Sequence, residues 1–174
     1  DGTEQAAQPY KIQARKAVQV KLSHSLLKIS GDEIKEYKSV HITAKKPISV
    51  TFHSIGGCSG GMYLALPTNG LGTKYIIASY RDNPELFGSY VGNNGPSTAD
   101  SSRGIYQIIG TQNGTTITIT NSGATTTSST SRIPYSIMLN RGQCYTVRSG
   151  NHLNTDDISG SIIESDKPIA VIAG

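Results

Sequence analysis

Residues Gly104 to Thr120, which read GIYQIIG, TQNG and TTITIT, decide the fold. The first run is rich in Ile and Tyr and the last alternates Thr with Ile, as half-buried β-strands do. Asn113-Gly114 between them is the strongest short-range signal for a hairpin, because a type I′ turn needs positive φ at both central residues. We therefore predict two strands that are joined by a tight turn and pair with each other.

The same pattern continues in both directions and predicts about twelve short strands at even spacing. The remaining runs are 10–14, 18–23, 37–44, 48–53, 62–66, 75–80, 135–140, 143–149, 159–165 and 169–174. Asn140-Arg141-Gly142 predicts a second hairpin turn of the same kind. The stretch 25–37 could be helical, but Gly31 interrupts it, and we predict a loop with at most one helical turn. The sequence therefore indicates an all-β fold.

Two segments repeat one another about 120 residues apart, which suggests a repeated unit. Asp166 to Gly174 (DKPIAVIAG) resembles Lys45 to His53 (KKPISVTFH), with the prolines aligned. We expect residues 1–9 to be a flexible leader. Residues 10–174 are expected to form an all-β repeat region of roughly one and a half such units, as part of a larger domain. The predicted architecture is antiparallel four-stranded units in a β-propeller-like segment, with a β-sandwich as the alternative.

Charge is unevenly distributed along the chain. The net charge is +4, and residues 1–50 account for all of it, with nine Lys/Arg against five Asp/Glu. Lysines at alternate strand positions are typical of a solvent-exposed face, or of an edge strand whose charges prevent pairing with other chains. Nucleic-acid binding would need denser basic clusters with aromatic partners, so we expect none. No apolar run approaches the roughly 18 residues that a membrane span requires.

Neither the cysteines nor the histidines form a metal motif. Cys58 and Cys144 are too far apart for a C-x-x-C site, and they either pair as a disulfide in a secreted chain or remain two buried thiols. The four histidines have no ligand spacing, and no phosphate-binding loop is present. We therefore predict no metal and no cofactor.

A catalytic set is also missing from the sequence. Residues 57–61 (GCSGG) formally match the G-x-S-x-G pattern around Ser59. A nucleophile elbow needs a helix after the serine, whereas residues 62–66 alternate as a strand. A serine hydrolase using Ser59 is thus a remote alternative, and we predict that the chain is not an enzyme.

Two further features bear on binding. Asn113-Gly114-Thr115 is an N-glycosylation sequon, although turn geometry alone explains Asn-Gly there. The segment Arg81 to Arg103 is a long loop that contains Phe87 and Tyr90, two aromatic residues that are costly to leave in water. They either pack on the body of the protein or contact a partner.

Several ordered motifs resemble the IgGFc-binding protein N-terminal domain family. They are Leu66-Pro67, Leu71 to Tyr75, Gly110 to Ile119, Leu139 to Tyr145 and Ile158 to Gly174. The resemblance extends over most of the chain from about Tyr10 onward, and it implies part of a longer domain.

What the resemblance implies is a secreted, non-enzymatic module of a matrix or mucus-type glycoprotein. Its expected partners are extracellular glycoproteins or immunoglobulin Fc, contacted through loops such as 81–103. The alternative is a structural component of the extracellular matrix that self-associates. The basic first fifty residues suggest acidic glycans as a secondary partner.

Overall fold

The computed structural model describes residues 8–56, 59–79, 103–128, 131–150 and 156–174. The described residues contain one helical turn, α1 (His24–Leu27), one 3-10 turn at Thr68–Gly70 and ten strands. The strands are β1 (Lys35–Glu36), β2 (Thr51–Gly56), β3 (Ser59–Leu64), β4 (Lys74–Ile76), β5 (Ile105–Gly110), β6 (Thr115–Thr120), β7 (Tyr135–Leu139), β8 (Cys144–Arg148), β9 (Ile162–Ser165) and β10 (Ile169–Ala173). The all-β prediction is confirmed.

The strands form three antiparallel sheets. The first four-stranded sheet has the order β1-β8-β5-β10, and the second has the order β4-β9-β6-β7. The strands β2 and β3 form a separate hairpin, in which Phe52 stacks on Tyr63 at 5.2 Å between ring centroids. The two larger sheets contribute to one core, which is the arrangement of a β-sandwich.

The core consists of side chains that alternate along both large sheets. In β6 the buried residues are Thr115, Ile117 and Ile119, while the residues between them are more exposed. The first sheet contributes Tyr106, Ile108, Tyr145, Val147 and Ile169, and the second contributes Ile117, Ile119, Leu139 and Ile163. Burying one such Ile contributes about 1.5 to 3 kcal/mol, so these side chains hold the two sheets together.

The predicted hairpin at Asn113-Gly114 is wrong, although both of its strands exist. Strand β5 lies in the first sheet and β6 in the second, so the turn crosses between the sheets instead of joining paired neighbours. Gly114 has a φ of +60°, but Asn113 does not have the positive φ that a type I′ turn requires. The turn around Arg141 likewise joins β7 to β8 across the sandwich, and so does the turn between β9 and β10.

The first fifty residues differ most from the prediction. The runs 10–14, 18–23 and 37–44 contain no strand, and within the described residues β1 is the one strand that this segment adds to the first sheet. Its apolar side chains at strand spacing, such as Val18, Val20 and Ile42, remain exposed. The period of a sequence shows which side chains share a face, but a strand also needs a partner for its backbone groups.

The sandwich, given above as the alternative, fits the structure. Each four-stranded sheet draws its strands from distant parts of the sequence, whereas a propeller blade uses consecutive strands. Nothing in the described residues shows a propeller. The repeated unit of about 120 residues and the larger domain remain predictions. No helix in the described part of the chain is long and apolar enough to cross a membrane.

Candidate binding surfaces

The sandwich has two ends that differ in construction. Three short turns, 111–114, 140–143 and 166–168, join the strands at one end, which we call the turn end. The opposite end, which we call the loop end, carries the described residues 77–79, 103–104, 121–128, 149–150 and 156–161. The described flanks of the connections after β4, β6 and β8 lie at the loop end. The connection 37–50 between β1 and β2 instead leaves from the turn end, where Ser39 Oγ donates to Gly142 O at 2.8 Å.

At the turn end, two asparagines bind each other's turns reciprocally. Asn113 Oδ1 accepts a hydrogen bond from Arg141 N at 3.0 Å, and Asn140 Oδ1 accepts one from Gly114 N at 3.0 Å. The second turn is closed further by Gln143 Oε1, which accepts from Asn140 N at 2.8 Å. These side chains therefore accept hydrogen bonds from backbone N–H groups that do not take part in strand pairing.

The third turn is attached to this pair by charged side chains. Lys167 Nζ donates to the carbonyls of Asn113 at 2.7 Å and Gly114 at 3.0 Å. The carboxylate of Asp166 accepts from Thr116 N at 2.8 Å. Hydrogen bonds with one charged partner are stronger than neutral ones, so all three turns form one rigid cluster.

The sequon lies on this cluster. Asn113 is exposed, and its amide oxygen already binds Arg141 N, so its nitrogen is the atom left for a glycan. Thr115 is fully buried, and its hydroxyl donates to Gln112 O at 2.9 Å. A glycan at Asn113 would project from the turn end.

The loop end is built from hydroxyl groups and backbone amides. Ser122 Oγ donates to Asp157 O at 3.1 Å, and Ser161 Oγ donates to Ile158 O at 2.6 Å. A side chain at Gly123 would meet Asp157 O at 2.5 Å, so the two loop segments pack with their backbones in contact.

The described residues on both sides of the segment 81–103 lie at the loop end. Ser79 Oγ donates to Gly174 O at 2.9 Å, and Ser149 N donates to Gly104 O at 2.9 Å. Gly174, which follows β10, also exchanges backbone hydrogen bonds with Ile105, so the described residues on both sides of the segment lie beside Gly174. Phe87 and Tyr90 themselves lie outside the described residues, so their role as partner contacts remains a prediction.

Three tyrosines occupy the core beneath the loop end. Tyr106 Oη donates to Asn121 Oδ1 at 2.5 Å. Burial raises the pKa of the Tyr106, Tyr135 and Tyr145 hydroxyls far above the ordinary value of 10, and the nearby Glu33 carboxylate raises it further. These hydroxyls stay protonated at neutral pH, so they do not act as bases.

Comparison with known protein families identifies the chain. A sequence model of the family described as IgGFc binding protein matches residues 61–174, which is more than half of the chain. The chain belongs to this family. The match includes both large sheets except β1, and it is shorter than the resemblance that the sequence motifs indicated. Separate searches of curated proteins and of solved structures found no match.

The structure of this IgGFc-binding family member describes one of its two cysteines, and that cysteine is a free thiol. Cys144 is buried, and its Sγ donates to Glu36 O at 3.3 Å. Burial raises the pKa of the thiol, so little of it is the reactive thiolate at neutral pH. Cys58 lies outside the described residues, and a disulfide between Cys58 and Cys144 remains a prediction.

The remaining candidates do not assemble into a site within the described residues. Ser59 is the first residue of β3, so a strand follows it where a nucleophile elbow has a helix. His41 Nδ1 lies 3.2 Å from the Arg141 guanidinium, and His24 belongs to α1. The part of the chain that the structure describes holds no group of three or more His, Cys, Asp or Glu that could bind a metal ion.

Sequence reasoning missed how the turn end is held together. Lys167-Pro168 was interpreted only as the start of a strand, and Asn140 only as a turn residue. The reciprocal bonds join residues that are 26 to 28 positions apart, so no local pattern shows them. The sequence does contain three short turns that each include Asn, Lys or Gly, and this was the signal from which contacts between the turns could have been predicted.

Proposed function

We propose that this chain is an extracellular, non-enzymatic binding module that contacts glycoproteins or immunoglobulin Fc through the loop end of its sandwich. Membership of the IgGFc-binding family supports the binding role. The observation that carries the proposed location is that both flanks of the segment 81–103 lie at the end opposite the rigid turn cluster. Binding residues are often found on loops that a rigid scaffold positions.

Phe87 and Tyr90 are the proposed anchors of this interface. Protein interfaces of this kind are polar at the rim, and a few buried aromatic side chains supply most of the binding free energy. The loop offers these two aromatic residues among many small and polar ones, which is a composition suited to adaptable contact.

The proposed module is secreted, and its sequon fits that proposal. N-glycosylation requires passage through the secretory pathway, and Asn113 is exposed. A glycan at the turn end lies about 20 Å from the loop end, which is the length of a strand of six residues. The glycan would therefore leave the proposed binding surface open.

The anchors are tested with immobilised immunoglobulin G Fc fragment as the probe. We expect Phe87→Ala with Tyr90→Ala to weaken binding at least about tenfold, because truncating an anchor typically costs about 2 kcal/mol or more. Tyr10→Ala with Tyr37→Ala is the matched control, since both tyrosines are exposed on the N-terminal segment. Unchanged binding of the Phe87/Tyr90 variant, with its thermal midpoint intact, would refute these anchors.

A second candidate function is self-association as a matrix component. The N-terminal segment favours it, because Val18, Val20, Leu22 and Ile42 are exposed at strand spacing. Large exposed apolar patches often mark interaction sites. Static light scattering across a range of concentrations separates the candidates: a mass that rises with concentration supports self-association, and a constant monomer mass supports the binding module.

Acidic glycans are the proposed secondary partner of the basic first fifty residues. Their charge excess would attract sialylated or sulfated chains, and that attraction weakens as salt screens it. Heparin is a suitable sulfated probe. We expect its retention to fall steeply between low and physiological salt, and a flat salt response would end the proposal.

A further inference from the structure

The edges of the two large sheets differ in how well they are covered. On the first sheet, β1 is only two residues long, and the edge strand β10 is met by Gly72 and Tyr75, which bind the backbone of Ile169. On the second sheet, β4 has three residues and carries the Lys74–Glu164 ion pair. Short, covered or charged edges are the usual protection against unwanted strand pairing.

Strand β7 has none of this protection within the described residues. It is the outer strand of its sheet and pairs only with β6. Its five residues, YSIML, include no charge and no proline. Met138 is 56% exposed on the strand and Ile133 is 63% exposed just before it. Methionine adapts readily to different partners, so this edge offers both backbone groups and apolar contact.

Two arginines bracket the strand and decide what kind of segment fits. Arg132 and Arg141 are both exposed, one before β7 and one after it. Arg132 stands three positions before the first residue of β7, and Arg141 stands two positions after its last residue. A segment that pairs with β7 therefore meets a neutral centre and a positive charge near each end.

A second copy of the chain does not fit this charge pattern. Antiparallel pairing of two β7 strands about Ile137 would bring Arg132 of one copy near Arg141 of the other, and like charges across strands are destabilising. The chain's own unpaired segment 10–23 fits no better, because it carries Lys11, Arg15 and Lys16.

We propose that β7 is a docking edge for an extended segment of a partner protein that has alternating apolar residues and acidic residues at both ends. The segment adds a fifth strand to the sheet through main-chain hydrogen bonds, and its acidic ends pair with Arg132 and Arg141. This surface runs along the side of the sandwich, and its Arg132 end lies next to the loop end, since Arg132 N donates to Asn121 O at 2.7 Å. It does not include Phe87 and Tyr90, the anchors of the proposed function. Either surface can fail its test without the other.

The probe is a fluorescein-labelled nonapeptide of alternating Val and Thr with two Asp at each end, compared with the same peptide carrying Lys ends. By fluorescence anisotropy, the full chain is expected to bind the Asp peptide at least about fivefold more tightly, as two exposed ion pairs imply. The variant Arg132→Glu with Arg141→Glu reverses this preference. Lys11→Glu with Lys16→Glu changes the net charge equally and leaves the preference as it was.

Hydrogen exchange locates the peptide. The amides of Tyr135–Leu139 exchange more slowly when the Asp peptide is bound, and those of β2 and β3 do not change. The proposal is overturned if neither peptide binds, if both bind equally, or if the protection falls outside β7. It is also overturned if the amides of β7 are protected from exchange without peptide and this protection rises with the concentration of a dimer. The strand that pairs with β7 would then come from a second copy of the chain.

Discussion

Gly110 shows at the level of one residue how closely the turn end is packed. A Cβ at this position would lie 2.7 Å from Asn140 O and 3.0 Å from Leu139 Cβ. Backbone oxygen cannot move away as a flexible side chain can, so β5 can approach the turn after β7 only with glycine here.

We predict that Gly110→Ala lowers the free energy of unfolding by about 1 to 3 kcal/mol, as overpacking of a close contact does. Gly61→Ala is the matched control, since a Cβ at Gly61 in β3 meets nothing within 4 Å. Its effect should stay within about 0.5 kcal/mol. Urea denaturation of both variants measures the difference, and equal midpoints would contradict the contact.

Cys144 gives a second prediction at this scale. The thiol is buried and its pKa is raised, so a thiol reagent at pH 8 should label it only after the chain unfolds. Labelling in denaturant without reductant should count two thiols if Cys144 is free as in the structure. A count of zero would instead support the predicted disulfide with Cys58.

At the level of elements, the N-terminal segment is held to the sandwich by a short contact. Asp32 binds the Arg148 guanidinium at 3.4 Å and accepts from Thr126 Oγ1 at 3.1 Å. Next to it, Glu33 N donates to Thr146 O at 2.7 Å and β1 pairs with β8. A second attachment lies at the turn end, where Ser39 Oγ donates to Gly142 O at 2.8 Å and His41 Nδ1 lies 3.2 Å from the Arg141 guanidinium.

Asp32→Ala should therefore lower the free energy of unfolding by about 1 to 2 kcal/mol, because the side chain is only 14% exposed, forms an ion pair with Arg148 and accepts a hydrogen bond from Thr126. Hydrogen exchange of residues 33–36 should become faster. Glu164→Ala is the control, since the Lys74–Glu164 pair is more than half exposed and such pairs contribute little. A larger loss from Glu164→Ala than from Asp32→Ala would contradict this ranking.

The strands from β5 to β10 were predictable from the sequence, whereas their pairing and the absence of strands at 10–14, 18–23 and 37–44 were not. The alternation of Ile117 and Ile119 with threonines indicates which face of β6 is buried, because side chains alternate across a strand. It carries no information about whether the next strand lies beside β6 or across the core from it. Asn113-Gly114 therefore suggested a hairpin, while the apolar faces of β5 and β6 are buried against each other from opposite sheets.

At the level of the whole molecule, the buried tyrosines predict an alkaline limit to stability. Their folded pKa values lie above the unfolded value of 10, so their contribution is complete below pH 10 and is lost as the pH rises beyond it. A fully buried tyrosine such as Tyr106 lowers the stability by up to about 1.4 kcal/mol per pH unit in that range, and the half-buried Tyr135 contributes less because solvent screens it.

We expect the urea concentration at the unfolding midpoint to fall steeply above pH 10. The change in absorbance at 295 nm that marks ionisation of these tyrosines should appear only as the chain unfolds. Tyr106→Phe should make the pH slope shallower, because one of the buried groups with a raised pKa is removed. Tyr37→Phe, which removes an exposed tyrosine, is the control. A slope that is the same in both variants would contradict the burial of Tyr106.

The candidate surfaces were only partly predictable. Asn113 was found from its sequon, and the structure confirms that it is exposed. The separation of Asn113 from the loop that carries Phe87 and Tyr90 depends on which end of the sandwich each connection leaves from. That follows from strand order, which local patterns do not encode.

The claim that partners bind at the loop end is tested most directly by hydrogen exchange of the full chain with and without immunoglobulin G Fc fragment. We predict that protection appears in 81–103 and in the neighbouring amides of Gly104, Ser149 and Gly150, while the turns at 111–114 and 140–143 are unchanged. Protection centred on those turns, or no protection at all with saturating Fc fragment, would contradict the account.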